Sequence, residues 1–348
     1  MHRLTRTAFY ASVALMLVAA LAATGCSSEK TTDTVSELPP RSEPIAVKIG
    51  TLPTEDSLPL WVAESEGMFT EAGLPSVEIM VFQSAQERDA ALASGAIDAY
   101  MGDIIAAAAL EAGGTPVTIA TIMLGADQAQ GPFGIVGSKD WAGGSGKSAL
   151  ASLAGVPVGT SSATIQEYVL DGLMRQAGVP DDQVTKEEVK KVPVRFELLM
   201  QGQLKAAALP EPFLSLAVLE GAKLIADDTT TTPAGFGDEN LSQTILLFSD
   251  KFLSKTGGIE SEEAVLEAWD NAVKLINQDP SAYQEMLAEK ARLPEPLKGT
   301  YKVSTYPTAQ LPTKAQVEAV LSWMKDKDYL KPDADVDYTN LTVVLPEK

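Results

Sequence analysis

Histidine and cysteine are nearly missing from this 348-residue chain: the only histidine is His2 and the only cysteine is Cys26. Everything beyond residue 26 therefore lacks both thiol and imidazole. That excludes Cys/His nucleophile pairs, histidine general bases, thiolate or imidazole zinc sites and disulfides from the folded body. Positive charge is also scarce. Lys and Arg total 27 against 47 Asp and Glu, a formal net charge of −20. Such a field repels phosphate backbones and excludes nucleic acid as a partner. No metal and no cofactor is implied, and chemistry is left to carboxylates, hydroxyls, amides, Lys, Arg and aromatics. With 45% hydrophobic and 21% charged residues, the chain is long enough for two units with separate cores.

What is present begins with a leader. Arg3 and Arg6 precede the apolar run AFYASVALMLVAALAAT, which is too short for a typical membrane span, so residues 1–25 read as a secretion signal. Ala23-Thr24-Gly25-Cys26 resembles a bacterial lipobox, with Ala23 where Leu is more usual, which makes Cys26 the lipidated first residue of the mature chain. The leader holds two arginines and no acids, so cleavage leaves the chain more acidic still. Residues 26–44 have almost no large apolar side chain and contain three prolines, the composition of a flexible tether. The expected setting is the outer face of a bacterial cell membrane, or periplasm, with a globular body on a lipid anchor.

From Ile45 onward, short β-branched runs alternate with helix signals. IAVKIGTL, VEIMVF, AIDAYM and TPVTIATIM read as strands. Between them lie LPLWVAESEG, with Pro59 in its first turn and Gly67 past its end, and a helix opened by the capping box Ser84-Ala85-Gln86-Glu87. An Ala-rich helix from about Asp103 to Ala112 follows. This order predicts a parallel sheet with helices on both faces. A second unit repeats the logic. AGVPVGT is a strand, and Thr164-Ile165-Gln166-Glu167 is a capping box opening a helix with Ile165, Tyr168, Val169 and Leu173 on one face. VKKVPVRF is a strand, ELLMQG a helix closed by Gly202, and QLKAAAL a strand running into Pro210-Glu211-Pro212. Helices are expected over 261–277, 281–291 and 313–327.

Two motifs imitate ligand loops and fail on spacing. GGSGKS (143–148) would need a glycine at 141 to be a phosphate loop, and that residue is Trp141. The run Asp333-Ala334-Asp335-Val336-Asp337 starts like a calcium loop, but its sixth position is Tyr338 and its twelfth is Val344. A polar surface connection and a solvated terminal loop are the expectations.

The stretch from Gly50 to Asp103 resembles the solute-binding proteins of ABC importers, in the group that serves sulfonates, nitrate and thiamine-precursor pyrimidines. The features are the first strand ending in Gly50, Ala63, Gly67-Met68-Phe69, Glu71-Ala72-Gly73-Leu74 and Gly95-Ala96-Ile97-Asp98-Ala99. LAGVPVG (153–159) and Glu211-Pro212 extend the match, while Lys205 stands where an Asp is common. The resemblance implies an α/β, two-lobed periplasmic-binding-protein fold (type II), each lobe a mostly parallel sheet flanked by helices, joined by two crossing strands. These are placed at FGIVGS (133–138) and QTILLF (243–248), so that lobe one is 45–133 with 243–348 and lobe two is 134–242. It also implies a monomer that closes on a small-molecule solute and docks on permease transmembrane subunits served by a separate ATPase, making and breaking no bond. Enzymes on the same fold are the rival. Fungal-type pyrimidine synthases need a Cys-rich motif and an active-site His, both missing here, and chorismate dehydratases act in the cytoplasm, which the leader contradicts. A ligand sensor is the third reading.

Ligands in such sheets bind beyond the carboxyl ends of strands. That rule selects Thr54, Glu55 and Asp56 after the first strand, Gly102 and Asp103 after the third, and Asp127 after the fourth. In lobe two it selects Ser161, Ser162, Thr164 and Glu211. Helix-start amides with the Ser161 and Ser162 hydroxyls could hold an oxyanion, and capping competes for Thr164, Asp56 and Asp103. Trp61, Phe133, Trp141 and Phe213 are the aromatics available to stack on a ring. Five acids and no clear Arg or Lys at the rim favour a neutral or amine-bearing solute, such as a pyrimidine-type vitamin precursor. A sulfonate or nitrate is the alternative.

Overall fold

The expected alternation of strand and helix runs through the chain. β1 (Val47–Thr51), α1 (Leu58–Ser65), α2 (Met68–Glu71), β2 (Val77–Val81), α3 (Ala85–Ala93), β3 (Ala99–Asp103), α4 (Ile104–Ala112) and β4 (Val117–Leu124) form the first series. β5 (Phe133–Gly137), α5 (Lys147–Ala151), β6 (Val158–Thr160), α6 (Ile165–Gln176) and β7 (Lys186–Glu188) begin the second, which α7 (Val192–Met200), β8 (Ala206–Pro210), α8 (Phe213–Leu219) and β9 (Lys223–Asp227) complete. β10 (Thr244–Ser249), α9 (Asp250–Leu253), α10 (Gly258–Gln278), α11 (Gln284–Lys290), α12 (Lys314–Asp326) and α13 (Tyr338–Leu341) close the chain. This computed structural model describes residues 41–126, 130, 133–228, 243–292 and 301–342; the leader, Cys26, residues 26–40 of the tether and Asp127 lie outside them.

Two five-stranded sheets result, in the orders β2-β1-β3-β10-β4 and β7-β6-β8-β5-β9. In each, one strand runs against the rest. β10 lies antiparallel between β3 and β4, with Leu246 opposite Met101 and Thr121, and β5 lies antiparallel between β8 and β9, with Ile135 opposite Ala208 and Ala226. These are the strands by which the chain enters each sheet from the other. The fold is therefore α/β and two-lobed, each sheet mostly parallel and flanked by helices. Edge strand β2 has only partly buried and exposed residues, as a half-covered edge should. β4 is also an edge, yet all of it is buried. Its outer side is covered by the terminal segment, where Gln310 O accepts from Ile122 N (2.7 Å) and Thr342 bridges Ile119.

The expectation of two separate cores is corrected in part. One apolar cluster takes in Ile119 and Ile245 of the first sheet, Ile135 and Val158 of the second, and Trp323 of α12. Helix α12 packs on α4 of the first lobe, and its Trp323 meets Tyr168 of α6 edge-on at 5.3 Å between ring centres. Packing through α12 makes this cluster continuous across both lobes, while a second cluster with Val136, Leu199, Leu209 and Phe213 stays separate.

Local signals explain most boundaries. Gly67 takes φ 75° after α1, a conformation that L side chains resist. The Ser84 hydroxyl accepts from Glu87 N at 3.3 Å, and Thr313 with Gln316 forms both halves of a capping box before α12. Three expectations differ. VKKVPVRF is not a strand; pairing stops at Glu188 and α7 begins at Val192, because Pro193 suits a first helical turn and Val192, Arg195 and Leu199 share a buried face. The capping box at Thr164 does not form: its hydroxyl donates to Ser161 O (2.7 Å), and Glu167 reaches Ala163 N instead (2.7 Å). Residues 281–291 divide into a 3-10 turn and α11. Helix α8 and strand β9 were not foreseen.

Candidate functional site

Strand ends and helix starts from both lobes converge on a narrow cavity of about 30 Å³ between the sheets. Thr54, Asp56, Gly102 and Asp103 line it from the first lobe, and Ser161, Thr164 and Glu211 from the second. Hydrogen bonds span it. Asp103 Oδ2 accepts from Ile165 N (3.1 Å), Ser161 Oγ accepts from Gln86 Nε2 (3.2 Å), and Glu211 O accepts from Glu55 N (3.1 Å). At the rim Lys191 pairs with Glu87 at 2.9 Å. The lobes stand closed.

Burial dominates the acids. It raises the Asp56 carboxyl to about 6, against hydrogen bonds from Thr54 (2.6 Å) and Thr244 and the charge of Arg88. It raises Glu211 to about 8, helped by the charge of Glu55 and opposed by Ser215, whose N–H (3.1 Å) and hydroxyl (2.9 Å) both donate to it. Asp103 is pushed up by burial too, with Arg88 and two backbone donors pulling the other way. One donor is Ala106 N at 2.7 Å, so Asp103 also caps α4. Gly102 beside it has no room for a side chain: a Cβ would lie 2.4 Å from Tyr100 Cε2.

The absence of a cation from the rim is overturned. Arg88 and Lys190 line the cavity. Arg88 is 1% exposed, donates to Met101 O (2.7 Å) and to Asp89 (2.8 Å), and lies 4.2 Å from the centre of the Tyr100 ring. Burial works against its charge, but Asp89, Tyr100 and Asp103 outweigh it and the pKa stays raised. A helical reading could have found it, since Ser84, Arg88 and Leu92 are spaced by four along α3 and all three are buried.

Other expected residues fall elsewhere. Glu55 is fully buried behind the cavity, where burial lifts it to about 7 while the Tyr301 hydroxyl and Ser304 N (2.6 Å) donate to it. Trp61 belongs to the core face of α1, which packs on α10. Ser162 points to Glu188, its hydroxyl 2.6 Å away. Phe133 lines the cavity, Phe213 packs on Phe196 (5.8 Å), and Trp141 donates to Gly144 O (3.1 Å) inside the glycine-rich connection. Asp127 lies outside the described residues. Asp337 of the calcium-like run caps α13 through Asn340 N (2.9 Å).

The start of α6 was expected to offer free amides. Instead Ser162 N donates to Glu188 (2.9 Å), Ala163 N to Glu167 (2.7 Å) and Ile165 N to Asp103 (3.1 Å). Ala163 holds φ at 54°, in the left-handed region, within this turn.

Residues 40–289 match the model of the NMT1-like family. The chain belongs to that family. Comparison with curated protein sequences gives no match. Among solved structures, the alkanesulfonate-binding protein SsuA of Xanthomonas axonopodis pv. citri, bound to MOPS, aligns with a TM-score of 0.68 at 19% identity, covering 86% of this chain and 99% of its own. The periplasmic nitrate-binding protein NrtA of Synechocystis PCC 6803 aligns at 0.69 and 16% identity, covering 86% and 85%. A Candida albicans gene product described as having the generic periplasmic binding protein fold aligns at 0.59 and 16%, covering 85% and 93%. At these identities the likeness shows the fold: the NMT1-like chain has the architecture of periplasmic binding proteins.

Proposed function

We propose that this chain is the extracytoplasmic solute-binding lipoprotein of an ABC importer, held at the membrane by Cys26 and delivering a small organic solute to permease subunits. Lobe one comprises 45–133 with 243–348 and lobe two 134–242. The observation that carries the reading is the cavity walled by both lobes and spanned by the Asp103–Ile165 and Gln86–Ser161 hydrogen bonds. The space is small, and with hydrogen bonds spanning it an organic solute enters when the lobes part, its contacts then favouring reclosure. No bond is made or broken.

Three carboxyl groups face this space, Asp56, Asp103 and Glu211, against Arg88 and Lys190. Gln86 Oε1 is a buried acceptor without a partner beside Ser161. Asp56, Asp103 and Gln86 Oε1 as acceptors favour a nitrogenous solute with N–H donors, of the pyrimidine-precursor kind. Glu211, lifted to about 8 by burial, is a neutral acid at pH 7. A sulfonate has Arg88 in its favour, but that guanidinium is already bound by Met101 and Asp89. A thermal-shift screen of pyrimidines, amines, amino acids and sulfonates on the mature protein tests this. A solute at a hundredfold excess over its Kd adds about 2.7 kcal/mol of stability. Stabilisation by none of them would remove the transport reading.

A further inference from the structure

We propose that Gln166 is a specificity-determining residue of the cavity, a side-chain amide locked by Arg195 so that it offers the solute N–H donors only. The inference rests on the solute-binding reading of the cavity and adds the other half of its chemistry. The solute carries a hydrogen-bond acceptor, a ring nitrogen or carbonyl, on the side that meets lobe two.

Gln166 lines the cavity and is 8% exposed. Its Oε1 accepts from Arg195 Nη2. A guanidinium has donors and no acceptor, so turning the amide over would set N–H against N–H. The orientation is therefore fixed, and Nε2 is left for the cavity. It donates to no group among the described residues, and solvent still reaches it.

Arg195 supplies a second, separate observation. It is fully buried, its Nη1 donates to Val189 O at 2.7 Å, and its Nε has no partner. Among the described residues no carboxylate pairs with it. Glu188, whose charge acts on it, is spent on Ser162 N (2.9 Å) and the Ser162 hydroxyl (2.6 Å). Burial accordingly lowers Arg195 to about 9. Holding a cation in the interior without a counter-ion is unfavourable. A glutamate at 166 would supply that counter-ion. The chain keeps an amide there instead, and the charge behind it polarises its N–H groups toward the cavity.

The pair also survives opening. α6 and α7 both pack on β8, so Gln166 is oriented before any solute arrives, unlike the bonds that cross the cavity. Asp56 and Asp103 line the other wall as acceptors. One wall asks for N–H groups and the other for an acceptor. An aminopyrimidine carries both.

The test is calorimetric titration of the mature protein with 4-aminopyrimidine and with aniline, which keeps the amino group and lacks the ring nitrogens. Wild type is expected to bind 4-aminopyrimidine at least about tenfold tighter than aniline. Q166E is nearly isosteric, gives Arg195 its counter-ion and replaces the donor with an acceptor. It is expected to abolish the preference while its urea midpoint stays at or above that of wild type. R195M frees the amide to turn over and should lose most of the preference with aniline binding unchanged, and R195K should restore part of it. Wild type without a preference would overturn the proposal, as would a preference kept in Q166E or a Q166E midpoint below wild type. Wild type that binds neither probe but takes another solute in the wider screen also sinks it. A screen in which nothing binds strikes the transport reading, and this inference with it.

Discussion

Trp323 of α12 donates its indole N–H to the carboxylate of Asp171 on α6 at 3.1 Å, joining residues 152 positions apart in sequence. Asp171 is fully buried, and Lys186 (2.7 Å) and Lys327 (2.9 Å) complete its surroundings. The terminal helix is thus tied to the second lobe by charge and by the Tyr168–Trp323 ring contact, while its other face packs on α4.

Removing that carboxylate leaves two ammonium groups close together and an indole without an acceptor. D171A is expected to lose about 3 kcal/mol, the lower end for breaking a buried pair, because both lysines stay 17–18% exposed. Urea unfolding followed by tryptophan fluorescence measures it. An unchanged midpoint would mean the cluster contributes nothing net.

Stability should fall as pH rises. Glu55 and Glu211 are lifted from 4.5 to about 7 and about 8, chiefly by burial. Between about 4.5 and 8 the folded state therefore holds protons that the unfolded chain releases, so the contribution is full below the unfolded pKa and is lost as pH climbs through the folded values. The urea midpoint is expected to be higher at about pH 5.5 than at about pH 8.5, and E211Q to flatten that slope, each tenfold in proton affinity being about 1.4 kcal/mol. A slope identical in wild type and E211Q would contradict the assignment.

Arg88 holds the cavity wall by three contacts at once. R88M is expected to cost no more than about 3 kcal/mol, since Asp89 keeps 31% of its side chain exposed. It should also weaken binding of whatever solute the screen identifies. R88K keeps the charge without the planar fork and should restore only part of either quantity. Full restoration by lysine would show that charge alone matters.

C26S should leave the folded body unchanged and release it from the membrane. Fractionation of cells expressing wild type and C26S reads this directly. Equal membrane retention of both would remove the lipid anchor from the proposal.

The sheets were legible because buried strands write themselves as short apolar runs, β-branched in β1 and β4. β7 and α7 were misread for a local reason: Val189, Val192 and Val194 look like a strand until Pro193 is allowed to open a helix. The rim carboxylates Asp56, Asp103 and Glu211 were legible from the strand-end rule. What they bond to was not. The partner of Asp103 across the cavity lies 62 residues later, and no periodicity encodes such a distance. Arg88 sits on a helix of mostly polar residues, and only its spacing of four from Leu92 puts it on the inner side.

β10 sits between β3 and β4, which do not touch each other, so the first sheet cannot be finished until residue 249 has been made. Until then β3 offers an unpaired edge, and two-thirds of the polypeptide emerges before its own first half can close. A late keystone of this kind makes closure of the first lobe wait on the second, so the two halves become stable together and not in turn.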